Sequence, residues 1–363
     1  MRSPRSLALA ALCVLGLAAM ATGCASTSDA SDASDDEATS PDELRAKAPP
    51  SCLGESQPLT LSRNLPFANV AVGGVSGPFL VDLATTNSAI DVLAFPAPGP
   101  SAARCPLGET CTFDGFTFFG GWGTVSLISE ELDAPSDTFH QAGILGTDFL
   151  ATSVYTLDYG RKRIHRGDRG ACADTTLTRA GLKPLSTRGF YGSSDVPRKP
   201  MSDVLAGASS GSTMPNVPTV PVRVAGVTAV AQLDTGFADT RIAHSVNVNT
   251  AFFDAIQAAN PGALVRDAAS DLSLTTCAGV AEPVEAWRLA PGTSFELVDE
   301  SGAAARSEKA AVLFVKRTPA AARRCGGIGT WSAPAAQVAA SFYVDAGVVV
   351  FDPFASRVWI NAR

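Results

Sequence analysis

Pro218 to Ile242 runs PTVPVRVAGVTAVAQLDTGFADTRI, and Pro66 to Ile90 runs PFANVAVGGVSGPFLVDLATTNSAI. At a constant offset of 152, with no gap, Pro66 falls on Pro218, Val70 on Val222, Val72 on Val224 and Gly74 on Gly226. Val75 falls likewise on Val227, Asp82 on Asp234 and Ile90 on Ile242. Each copy alternates apolar and polar residues, breaks at a Gly-containing turn, and resumes as a second strand. That strand runs into an aspartate followed by small or hydroxyl residues. Period-two alternation interrupted by Gly is the signature of a hairpin.

A second pair of segments matches at an offset of 194. Ile144-Leu145-Gly146-Thr147 leads through Tyr155-Thr156-Leu157-Asp158 to Arg163-Ile164. Val338-Ala339-Ala340-Ser341 leads through Val349-Val350-Phe351-Asp352 to Arg357-Val358. Two correspondences in the same order make duplication the expectation. The chain is therefore expected to be mostly β, with two homologous β-barrel-like lobes at residues 51–172 and 215–363. Residues 173–214, which contain Ser209-Ser210-Gly211-Ser212, form the interlobe linker. Few helices are expected. Thr250 to Asn260 is one, since Phe252, Phe253, Ile256 and Ala259 share a face and Pro261-Gly262 stops it. Ala333 to Ala340 is a second.

Outward from the repeats, the N-terminus reads as an address. Arg2 and Arg5 precede an apolar run from Leu7 to Met20, so residues 1–23 have the plan of a signal peptide. Ala21-Thr22-Gly23-Cys24 is similar to a bacterial lipobox, which implies a lipid on Cys24; an ordinary secretory signal with a chance cysteine is the alternative. Residues 24–50 hold seven acidic side chains against Arg45 and Lys47 and almost nothing to bury, the composition of a disordered acidic tether. An exported lipoprotein of the cell envelope is expected, on the periplasmic face or at the outer membrane or surface. Six cysteines remain beyond Cys13 and Cys24, an even number in an oxidising compartment. Locality favours Cys105–Cys111, Cys52–Cys172 and Cys277–Cys325.

The 363 residues carry a formal charge of −7 with no basic stripe, which excludes nucleic acid as an expected partner. Only three histidines occur and there is no CxxC, so neither a metal nor another cofactor is expected. His244 reads as a surface or turn residue. Lys316-Arg317 reads as an isolated pair on a loop, and Arg161-Lys162-Arg163 as a tight turn.

The two aspartate segments resemble the pepsin-like and retropepsin-like aspartic peptidases, in which two β lobes each contribute an Asp-Thr/Ser-Gly loop. The stronger motif is Leu233-Asp234-Thr235-Gly236-Phe237; Val81-Asp82-Leu83-Ala84-Thr85-Thr86 is a degenerate counterpart. Ile144-Leu145-Gly146 is similar to the hydrophobic-hydrophobic-Gly element that crosses behind the catalytic loop. Phe118-Phe119-Gly120-Gly121-Trp122 stands where the family has its flap, so Phe119 and Trp122 would be flap residues. The resemblance implies a catalytic dyad of Asp82 and Asp234, supported by Thr235, Gly236 and Thr85. One shared proton would let the ionised carboxylate activate water while the other polarises the peptide carbonyl.

Four positions depart from that pattern. Leu83 lacks the hydroxyl that braces the opposite loop, Ala84 adds a methyl where the family has Gly, Phe237 replaces a Thr or Ser, and Phe119 replaces the flap Tyr. The expectation is a retained fold with weak or lost peptidase activity and a cleft that holds an extended peptide or protein. The alternatives are an active endopeptidase using Asp82 and Asp234, and a structural surface lipoprotein without a ligand. A monomer is expected, touching the membrane only through its lipid. Phe113, Phe116, Phe118 and Phe119 could offer contact area in a cleft, although aromatic residues in hairpins more often belong to a core.

Overall fold

In a computed structural model the described residues are 50–95, 105–132, 139–189, 199–200, 217–237, 242–276, 278–325 and 327–362. The signal, the tether and most of the linker lie outside them, as do Cys24 and Cys277. The side chains of Trp122 and Cys325 also lie outside. The described chain is mostly β, organised as two large sheets with four short α-helices among the described residues.

The segments leading into Asp82 and Asp234 form two hairpins with one register. Leu65–Val72 pairs with Val75–Val81 from Phe67↔Leu80 to Val72↔Val75, and Thr219–Val224 pairs with Val227–Leu233 from Thr219↔Gln232 to Val224↔Val227. Both turn on two residues of positive φ, Gly73 (61°) with Gly74 (84°), and Ala225 (48°) with Gly226 (82°). This left-handed pair matches the twist of the flanking strands, which is why Gly occupies the second position in both. The offset of 152 thus holds pair by pair.

Each hairpin gains a parallel neighbour ending beside its aspartate. Gly143–Leu145 lies along Phe79–Val81 with Val81 opposite Leu145, and Ala335–Val338 lies along Val230–Leu233 with Leu233 opposite Val338. Leu145 therefore corresponds to Val338, a spacing of 193 rather than the 194 read from the sequence. Ala335–Val338 also corrects the helix expected at Ala333 to Ala340. Alanine favours helix intrinsically, but Ala335–Val338 pairs on both edges, and the helix begins only at Ser341. On the far side of these crossing strands run Ala89–Ile90 and Ser245–Asn249. The helix Thr250–Ala259 is observed, capped by the Asn249 side chain on Phe252 N (2.9 Å), with Phe252, Phe253 and Ile256 buried.

The spacing of 194 holds in two further hairpins, Val154–Asp158 with Arg163–Gly167 and Val348–Asp352 with Arg357–Asn361. They meet edge to edge, antiparallel, with Thr156 opposite Val350, two positions that are themselves 194 apart. Glu55–Ser62 flanks one side and Leu182–Ser186 the other, giving a central six-stranded antiparallel ribbon. Arg161-Lys162-Arg163 is indeed a tight turn, with Lys162 at φ 53°. Cys52–Cys172 and Cys105–Cys111 are disulfide-bonded.

Candidate functional site

Asp82 and Asp234 each follow the last residue of a buried strand, so the loops that carry them leave the sheets at equivalent points. Asp82 N donates to Leu145 O (3.0 Å) and Asp234 N to Val338 O (3.2 Å), fastening each loop to its crossing strand. Both carboxylates are buried, at 4% and 6% exposure. The NH two residues on curls back in each case: Ala84 N donates to Asp82 Oδ1 (2.8 Å) and Gly236 N to Asp234 Oδ1 (2.9 Å).

The two loops also touch. The Gly236 NH, bonded to Asp234, also favours the ionised form of Asp82. A β-carbon added at Gly236 would sit 2.6 Å from Asp82 Oδ2, so only glycine admits this approach. The Thr235 hydroxyl, wholly buried, donates to Val81 O (2.7 Å) and accepts from Leu83 N (3.0 Å). One side chain thereby stitches together segments about 150 residues apart. Leu83 has no hydroxyl to return the bond; its side chain is 2% exposed, in the core. The Thr85 hydroxyl favours the ionised form of Asp82.

Burial pushes both carboxyls above the ordinary carboxylate range. The rise is greater for Asp234, where the charge of Asp82 adds to burial. Below it, Tyr343 is fully buried with its hydroxyl donating to Val338 O (3.3 Å) and within reach of the Asp234 backbone.

The segment Ile144-Leu145-Gly146 buttresses the Asp82 loop. Gly146 N donates to Ser88 Oγ (2.9 Å), Thr147 N to Thr85 O (2.8 Å) and Asp148 N to Thr86 O (2.9 Å). A β-carbon at Gly146 would come within 2.9 Å of the Asn87 backbone, which explains the glycine.

No protein-family model matches the chain, and no curated protein is significantly similar to it.

Phe119 is buried at the turn of the Thr110–Thr117/Gly121–Ser129 hairpin, at φ 51°. There it packs on Phe118 and Tyr155 under the Arg166 guanidinium. Phe113, Phe116 and Phe118 are buried as well. His244 lies in a turn, as expected; partly buried there, it meets Asp345 Oδ2 at 2.6 Å and Glu308 Oε2 at 3.5 Å. The hydrogen bond to Asp345 raises its pKa above the ordinary imidazole value. Lys316 ends the strand Val312–Lys316 instead of lying on a loop, and its Nζ is 2.6 Å from buried Glu282. The sequence reading missed Gln337 and Asn247. Gln337 Nε2 donates to Asp234 Oδ2, and Asn247 Nδ2 donates to Gln337 Oε1 (2.8 Å).

Proposed function

We propose that the protein is an aspartic-peptidase-like hydrolase of weak activity, built from two duplicated, β-barrel-like lobes, acting on extended peptides. The observation that carries this function is the close approach of Gly236, whose NH bonds to Asp234, onto the carboxylate of Asp82, so that two buried carboxylates from loops 152 residues apart meet at one glycine. Two carboxylates so close cannot both ionise readily, so one proton serves the pair and the pair titrates as a unit. Burial and the charge of Asp82 favour placing that proton on Asp234. The matching hairpin registers support the duplication, and the pairing of Leu65–Val72 with Thr110–Thr117 turns the first sheet's path back on itself.

In the proposed reaction Asp82, ionised, takes a proton from a water molecule whose oxygen attacks the peptide carbonyl carbon. Asp234 gives its proton to the carbonyl oxygen, leaving a gem-diol. Asp82 then passes its proton to the amide nitrogen as the C–N bond breaks, while a diol hydroxyl returns its proton to Asp234. Leu83 and Ala84 lower the rate because the brace between the loops is made from one side only. Those same two residues favour a second function, a cleft that holds peptide without cutting it.

We further propose that the acidic tether ties the domain to the envelope through lipidated Cys24. The disulfides suit an oxidising compartment, and no helix among the described residues is long and apolar enough to cross a membrane. The test is proteolysis by the full chain on a mixed peptide library, from acidic to neutral pH, with and without a pepstatin-like inhibitor. Slow, inhibitable, acid-favoured cleavage is expected, absent in Asp82→Asn and Asp234→Asn. Peptide retained uncut by the folded protein would establish the binding function instead. Cleavage surviving in Asp234→Asn would eliminate the dyad.

A further inference from the structure

Asp82 and Asp234 are supplied with hydrogen-bond donors in different ways. Asp82 receives the Ala84 NH, and its ionised form is further favoured by the Gly236 NH and by the hydroxyl of Thr85, a side chain of its own loop. The position 152 residues after Thr85 is Phe237, which brings a backbone NH to Asp234 but no hydroxyl. The side-chain donor to Asp234 is Gln337 Nε2, which arrives from the crossing strand Ala335–Val338.

The row that delivers it is polar throughout. Gln232, Gln337 and Asn247 stand opposite one another on three adjacent strands, Val227–Leu233, Ala335–Val338 and Ser245–Asn249. The equivalent row beside Asp82 is Leu80, Ile144 and Ala89, all buried in an apolar cluster with Phe67 and Leu132. An amide taken from water costs free energy unless it is bonded, so a polar row in one place and an apolar row in its counterpart calls for a local cause. Asp234 Oδ2 supplies a partner for Gln337, and through it for Asn247. Asn247 donates to Gln337 Oε1, which leaves the Gln337 NH2 pointing at the carboxylate.

We propose that Gln337, oriented by Asn247, is the positioning residue of Asp234, replacing from a neighbouring strand the hydroxyl that Phe237 cannot supply. The role rests on the dyad proposed above. A donor on Oδ2 stabilises the ionised carboxylate, opposing burial and the charge of Asp82, and holds the carboxyl plane towards the other loop. The other titratable groups facing Asp234 are Asp82 and Tyr343, and burial keeps the Tyr343 phenol protonated well beyond its ordinary range.

The experiment is titration of the two carboxyl groups by carbon NMR in the aspartate-labelled full chain, a readout that does not depend on peptide cleavage. Gln337→Met, which keeps length and volume but removes the donor, is expected to move the upper step of the pair upwards by about one pH unit. Adding Phe237→Thr to that variant restores a hydroxyl within the loop and is expected to bring the step back towards wild type. Asn247→Leu leaves Gln337 in place but unanchored, giving a smaller shift in the same direction, and serves should Gln337→Met fail to fold. An unchanged titration in folded Gln337→Met, or in Asn247→Leu where only that variant folds, overturns the role of Gln337 while leaving the dyad standing. Two wild-type carboxyls titrating independently near the ordinary value would overturn the dyad itself.

Discussion

At the scale of single residues the proposed site turns on an asymmetry between Thr235 and Leu83. Thr235 makes two buried hydrogen bonds across the loops, while Leu83, its counterpart at the same offset, contributes only a backbone NH. The leucine side chain does other work, filling the core where a hydroxyl would have to be satisfied. Leu83→Thr should therefore exchange stability for rate. Losing most of a buried leucine costs about 2–3 kcal/mol, offset in part by whatever bonds the new hydroxyl makes. A loop braced from both sides should hold its carboxylate more tightly and raise peptide cleavage by roughly tenfold. Urea unfolding and kcat on one peptide test both halves. A variant that loses stability with no gain in rate would mean that the missing hydroxyl does not limit the chemistry.

At the scale of elements, local chemistry made much of the chain readable. Alternation and Gly turns marked the hairpins, the Phe252/Phe253/Ile256 face and the Pro261-Gly262 stop marked the helix, and the short Cys105–Cys111 loop was legible from spacing alone. Ala335–Val338 was not, because its alanines favour helix and only pairing on both edges makes it a strand. Phe119 was legible as a hairpin-turn residue, whereas the burial of its ring on Tyr155 depends on a partner far along the chain. Cys52–Cys172 spans 120 residues and closes over a small apolar cluster of Leu53, Leu177, Leu182, Val350 and Trp359, on the central ribbon. Chain-entropy reasoning gives such a loop about 4–5 kcal/mol of stabilisation. Cys52→Ser with Cys172→Ser should lower the unfolding free energy by about 4 kcal/mol, whereas the double serine variant of Cys105 and Cys111, closing six residues, should lose less. Urea midpoints of the two variants decide the order.

At the scale of the whole molecule, the sequence carried the offsets of 152 and 194 because each is a run of local patterns repeated. It did not carry the junction at Thr156 and Val350, nor the bond from Gln337 to Asp234 across 103 positions, since neither partner signals the other locally. What the fold assembles there should be visible in the stability of the protein against pH. In the folded chain Asp234 keeps its proton at pH values where the unfolded chain, with an ordinary carboxyl near about 3.9, has lost it. The folded state then binds more protons, so stability falls as pH rises from the unfolded value through the folded one. Asp82, Asp148 and Glu130, also raised by burial, add to that fall, and His244, raised by Asp345, adds its own above the imidazole range. Asparagine at 234 cannot ionise and leaves Asp82 without a charged neighbour. Asp234→Asn should thus match wild type near about pH 4 and exceed it increasingly towards neutrality, with the remaining slope common to both. Unfolding free energies of the two proteins across that range settle it. A wild type that is the more stable of the two at neutral pH would show that the paired carboxylates are no burden on the fold, and would remove the electrostatic basis for a shared proton.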